Sequence, residues 1–153
     1  MILTPDIFQG EITLGQVESL SVKASIKWFI EKYEPVFLTN VLGSELAAEL
    51  AQGLSADPVE EKWTVLADML KPCIANFVYT KYMRNKISET AGSGESIHFA
   101  ETAERTSPWN KIVRTWNEMA EMLSNIDTIL IQSSDYSQYC PNKEYKKINS
   151  IGI

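Results

Sequence analysis

The chain is poor in the residues that carry catalysis and metal chemistry. It has one histidine, His98, and two cysteines, Cys73 and Cys140, far apart in sequence. No CxxC and no Cys/His spacing is present, so a transition-metal cluster lacks ligands and a disulfide framework lacks partners. Reduced thiols in a cytosolic setting are the expectation. Glycine and proline are sparse: seven and six in 153 residues, never run together. There is no repeat at a fixed period and no low-complexity tract. No apolar run approaches a membrane span. The start, MILTPDIFQGE, has neither the basic residues nor the apolar stretch of a signal peptide. Motifs for nucleotide and acyl chemistry are missing as well. GSGES at 92–96 lacks a P-loop lysine, a preceding buried strand and a directly following helix, and G-x-S-x-G does not occur.

What is present is ordinary globular material: 44% hydrophobic and 22% charged residues. The length suits a single domain over 1–153 with a real core. The net charge of −6 is unevenly spread. Residues 1–57 hold eight acids against Lys23, Lys27 and Lys32, whereas after Ile131 the bases Lys143, Lys146 and Lys147 face Asp135 and Glu144. An acidic chain repels phosphate backbones, which disfavours specific nucleic-acid binding. The simplest role of such charge is solubility.

Residues 1–15 mix Ile2, Leu3, Ile7, Phe8, Ile12 and Leu14 with Pro5, Gly10 and Gly15, which reads as an extended arm or a short strand pair. From Val17 the pattern turns helical, with Val22, Ile26, Phe29, Ile30 and Tyr33 on one stripe. Pro35 is expected to stop this helix and to open a short one that ends at Gly43. Ser44 can cap ELAAELAQ, and Gly53 can end it in a left-handed conformation.

Two long amphipathic segments follow. Asp57-Pro58 reads as N-cap and first turn of a helix over 59–88. Its seam is Val59, Trp63, Leu66, Leu70, Cys73 and Phe77, widened by Ile74, Val78 and Tyr82, so it should be the central helix. Pro72 predicts a kink or break near 68–72. Ser107-Pro108 repeats the start signal for a helix over 108–131, with Trp109, Ile112, Trp116, Met119, Leu123, Ile126 and Leu130 stepping by three and four. Between these segments, 92–106 reads as a mobile loop or hairpin. The stretch 132–153 is polar, aromatic and aperiodic, an extended tail that Tyr136, Tyr139 and Tyr145 could dock. The fold class expected is all-α, a bundle of four to five helices.

No set of residues nominates a catalytic centre. His98 lies in the loop near Glu101 and Ser96, where closeness in sequence is cheap. Glu45/Glu49 and Glu118/Glu121 each share a helix face and could hold a divalent cation, but a solvated surface explains them. Lys81, Arg84 and Lys86 end their helix where the dipole favours bases, although the interleaved Tyr79 and Tyr82 could make a nucleic-acid face. Trp63 and Trp116 sit centrally on their seams and should be core. Trp28 and Trp109 are nearer helix ends, where either could face a partner.

The order of parts resembles the small head–tail connector (adaptor) proteins of tailed bacteriophages and prophages. The matching pieces are IKWFIEKYEPVFLTNVLGSELAAEL, KWTVLADMLKPCIANFVYTKYMRNK, the loop AGSGESIHFAETAERTS, SPWNKIVRTWNEMAEML and the ending KKINSIGI. The wording is also similar to phage-encoded proteins of gut Bacteroidetes. The likeness covers the chain from about residue 17 onward and is one of layout, without a diagnostic motif; the break expected at Pro72 departs from it. It implies a structural, non-enzymatic virion protein without cofactor or metal, present in the host cytoplasm during assembly. Such a subunit forms a homo-oligomeric ring on the portal protein, contacts tail components, and meets DNA only as passing cargo. The loop and tail would reach neighbours, which makes His98, Phe99, Trp109, Trp116, Tyr136, Tyr139, Tyr145, Ile151 and Ile153 the candidate interface residues. The alternative is a small helical protein-binding module, regulatory or chaperone-like and absent from the virion, that docks a partner along the 109–130 stripe. An enzyme is the third class; it would need His98, Glu101 and another acid to converge in a cleft.

Overall fold

Eight consecutive residues, 73–80, are buried in the middle of one helix. A helix apolar on one face can hide only that face, so burial all round requires neighbours on every side. The computed structural model, which describes residues 1–14, 19–91, 94–97, 108–141 and 145–149, supplies them. Three α-helices make the body: α1 (Leu20–Gly53), α2 (Glu61–Ile87) and α3 (Pro108–Gln132). A two-stranded antiparallel hairpin, β1 (Ser88–Ala91) and β2 (Gly94–Ile97), continues from α2, with Ser88 opposite Ile97.

The helix α2 runs antiparallel to both neighbours. Phe29 of α1 meets Tyr82 of α2 at 5.4 Å between ring centroids, and Phe37 meets Phe77 at 5.1 Å. At the other end Gly53 lies against Trp63, so closely that a β-carbon there would stand 2.1 Å from the indole. On the far side Asn76 reaches the Thr115 carbonyl at 3.5 Å, and the Tyr136 hydroxyl donates to the Lys62 carbonyl at 2.7 Å. The seams read from the sequence are packed except at Val59 and Trp109, which are exposed, and at Trp116, expected in the core but only half-buried. Trp63, Leu66, Leu70, Cys73 and Phe77 are buried in α2, as are Ile112, Met119, Leu123, Ile126 and Leu130 in α3.

The mainly helical class is as expected; the helix count is not. Four to five helices were expected, and among the described residues there are three α-helices, the first of them kinked. The difference lies at Pro35, which does not stop the helix, and at Gly43, where two helical stretches join across a kink and count as one element. Pro35 lies inside α1 on an exposed position, where its ring displaces nothing packed. Gly43 is a true irregularity, with φ 81° and ψ 162°, a region that side chains with a β-carbon avoid. The helix end expected at Gly43 is therefore real: two helical stretches, 20–42 and 44–53, meet there across a kink and are counted together as α1. Gly53 does not adopt a left-handed conformation; it is small because the Trp63 ring occupies its side-chain space. Pro72 is exposed and α2 continues through it without a break. The start signal at Asp57-Pro58 falls in the connection, with a cis peptide bond, and α2 begins at Glu61, leaving Val59 exposed. The segment before α1 holds two 3-10 turns, Pro5–Ile7 and Gly10–Ile12, and no strand among its described residues. It is part of the core, with Leu3, Phe8 and Leu14 buried.

Candidate interaction surfaces

The last described stretch, 145–149, lies in the groove between α1 and α3, over α2. Tyr145 stacks on Phe37 of α1 at 5.5 Å and 20°, and presents its edge to Phe77 and to Trp116 at 5.5 and 5.7 Å. Its hydroxyl accepts from the Asn40 amide at 3.0 Å. The Trp116 indole donates to the Lys146 carbonyl at 2.8 Å. Asn117 then behaves as a piece of strand: its amide nitrogen donates to the Ile148 carbonyl at 2.9 Å, and its oxygen accepts from the Ile148 amide at 2.8 Å. The Lys147 ammonium lies 2.8 Å from Glu121, and this hydrogen bond, with the charge behind it, holds the Glu121 carboxyl below its ordinary pKa.

Upstream, two more tyrosines pin the tail to its own chain. Tyr136 is buried against Trp63, and burial, followed by the neighbouring Asp135 charge, raises its hydroxyl pKa. Tyr139 donates to the Asp127 carboxylate; burial first, and then that bond, raises its pKa too. Of the candidate interface residues, Trp116, Tyr136, Tyr139 and Tyr145 therefore pack within the chain, half-buried or buried. Trp109 is 43% exposed, with the Arg84 guanidinium 5.7 Å from its ring. His98, Phe99, Ile151 and Ile153 lie outside the described residues, as do 92–93 and 98–106 of the expected loop and Glu101 of the enzyme reading.

Glu34 is a structural feature that sequence reasoning missed. It is buried in α1, where its two carboxylate oxygens accept from the Ile2 amide at 2.7 Å and the Leu3 amide at 2.9 Å. The Met1 ammonium is 4.0 Å away. A buried carboxylate survives only with such partners. Its signal was available: Glu34 stands four residues after Ile30 and three before Phe37, an acid in the core register. Beside this clamp an open cleft of ≈ 650 Å³ separates the two halves of α1, lined by Ile2, Ile30, Leu38, Ala47, Leu50 and Leu54. It exists because Gly43 bends the helix.

Charge segregates along the bundle. At the end formed by 20–33, 77–87 and 108–116 the bases are Lys23, Lys27 and Lys32, then Lys81, Arg84 and Lys86, then Lys111 and Arg114; Glu31 is the single acid of these stretches. Several cations lie on aromatic faces: Lys32 is 4.7 Å from the Trp28 ring, Lys81 5.0 Å from Phe77 and Lys111 5.2 Å from Tyr79. The opposite end comprises 42–53, 57–70 and 123–136. It carries Glu45 and Glu49, then Asp57, Glu60, Glu61 and Asp68, then Asp127 and Asp135, with Lys62 as its only base. The segment that follows α2 adds Glu89, Glu95, Glu101, Glu104 and Arg105 in sequence; their side chains are outside the described residues.

Neither carboxylate pair is set up as a cation site. Glu118 pairs with Arg114 at 3.6 Å, Glu121 with Lys147, and Glu49 accepts from Gln138. Among the described residues no three His, Cys, Asp or Glu side chains are grouped to hold a metal, and no helix is long and apolar enough to cross a membrane. The Cys73 thiol is buried, which pushes its pKa up to about 12 and leaves it neutral and inert, while Cys140 is exposed. Comparison of the chain with protein-family models, with curated proteins and with solved structures finds no match in any of the three.

Proposed function

We propose that this protein is a structural subunit of a tailed phage, a head–tail connector that assembles as a homo-oligomeric ring on the portal. The observation that carries the reading is the seat of the tail. Residues 145–149 lie extended in a groove, held by ring contacts and by side-chain hydrogen bonds to the main chain. These contacts lie at the surface of the bundle and join the short stretch 145–149 to distant helix positions, so the same strand from a neighbouring copy could occupy the same groove without rebuilding the core. The layout resemblance points the same way. Peptide mass spectrometry of purified particles tests it. The chain in fixed ratio to the portal protein supports the reading. Its absence from intact, portal-containing particles overturns it.

The second reading, a helical binding module outside the virion, changes its site. The 109–130 stripe is already occupied by α2, so it offers no free groove. The cleft between the halves of α1 is the observation that favours this reading, as an open, mainly apolar slot of a size that takes a short peptide segment. A stable monomer that binds a host or phage peptide and is absent from particles would favour it.

A further inference from the structure

Helix stability explains the charge segregation along α2 but not along its two neighbours. The macrodipole favours acids near a helix N-terminus and bases near its C-terminus. Only α2 follows this rule, with Glu61 in its first turn and Arg84 and Lys86 in its last. The helices α1 and α3 both enter at the basic end with no acid in the first turn, and both leave at the acidic end with no base in the last. Their first turns instead carry Lys23 and Lys111. The last turns of both helices are uncharged, so it is the bases at the entry of α1 and α3 that run against the local preference and call for another cause.

Each end also exposes large apolar side chains. Leu20, Trp28 and Trp109 stand at the basic end, with Trp28 52% exposed. Val59, Val65, Ile129 and Ile131 stand at the acidic end, with Ile131 60% exposed. Apolar residues within a charged rim are the composition of protein interfaces, with Trp and Arg prominent among the anchors. A single-stranded nucleic acid would account for the cations and tryptophans of one end and leave the aliphatic, acidic end unexplained. A copy of the same chain accounts for both. The ends are about 40 Å apart, from the 27 residues of α2 at about 1.5 Å each, so one molecule cannot satisfy itself, while a second placed along the bundle axis can.

We propose that the basic, tryptophan-bearing end of the bundle docks on the acidic, aliphatic end of a second copy, head to tail. The contact is heterologous and closes into a ring if successive copies turn. The inference rests on the connector reading only in that copies of this chain meet; it names the faces through which they do so.

The test uses the full chain in sedimentation equilibrium at about 50 mM and about 500 mM salt, since screening separates charge-driven from purely apolar contacts. Association at low salt should weaken at least about tenfold at high salt. One variant reverses the basic end (Lys27→Glu, Arg84→Glu, Arg114→Glu) and a second the acidic end (Glu45→Lys, Glu60→Lys, Asp68→Lys), all at surface positions. Each alone should be monomeric, and an equimolar mixture should associate again, because unlike ends are then restored. A wild-type chain monomeric at both salts overturns the proposal, as does self-association indifferent to both reversals. A poly-dT oligonucleotide that binds the monomeric wild type, but not the basic-end variant, would assign that end to nucleic acid and overturn it equally. The connector reading is decided separately by the particle composition.

Discussion

The two extended segments of the molecule are held to the same three helices by different physics. The N-terminal arm is fastened from inside: Leu3 and Phe8 are buried, and the carboxylate of Glu34, buried too, takes two main-chain amides. The stretch 145–149 is fastened from outside, by a half-buried tyrosine and by hydrogen bonds that water can reach. Loss of a buried partner leaves a polar group stranded, whereas loss of an exposed one hands it to solvent. The arm should therefore come away only when the protein unfolds, and the tail should come away alone.

The comparison breaks most readily at the arm. Phe8→Ala empties a fully buried site and should cost about 3–5 kcal/mol in denaturant unfolding. Glu34→Ala strands the Ile2 and Leu3 amides and should cost about 2–4 kcal/mol, with a single cooperative transition retained. If either variant lost the arm but kept full stability of the helices, the arm would be an appendage and the contrast would fail. At the tail the effects shrink. Tyr145→Ala removes three ring contacts at a half-buried site and should weaken the seating of the tail by about 1–2 kcal/mol, read as a change in Trp116 fluorescence that precedes the global transition, with no more than that lost from global stability.

The smallest effect is electrostatic. The Glu121 carboxyl has its pKa lowered by Lys147, so its contribution to seating the tail is present above the unfolded value and is lost as the pH falls through the lowered one. Acid should therefore loosen 145–149 before it touches α2 and α3, seen as a falling protection factor at the Ile148 amide once the pH dependence of intrinsic exchange is divided out. Raised salt should act in the same direction. A tail that stays equally protected through that range would assign its hold to Tyr145 and Asn117 alone.

The helices were legible where burial follows helical spacing. The seams of α2 and α3 recur every three or four residues because one or two faces are covered, and the spacing of apolar residues betrays that. The boundaries were not legible, since local punctuation competes with packing. Pro35 and Pro72 both look like stops, yet each sits on an exposed helix position where losing one backbone hydrogen bond is tolerated. Gly43 was legible as the end of one helical stretch, but not that a second would follow at once across a kink and carry Leu46 and Leu50 into the same core. The arm was hidden for another reason. Its burial depends on Glu34, more than thirty positions away, and a solitary acid on an apolar stripe is easily dismissed as tolerated surface. The tail tyrosines were legible as anchors, since a polar aperiodic stretch has few other side chains able to pack. Their partners were not, because docking between α1 and α3 is a property of the assembled groove.

Native-state hydrogen exchange at the Leu3 and Ile148 amides tests the contrast most directly. Both are hydrogen-bonded to a side chain, one to Glu34 and one to Asn117. The account predicts that Leu3 exchanges only with global unfolding, and that Ile148 exchanges at least about tenfold faster through local release of the tail. Equal protection at the two amides would contradict it, and would make the tail as much a part of the fold as the arm.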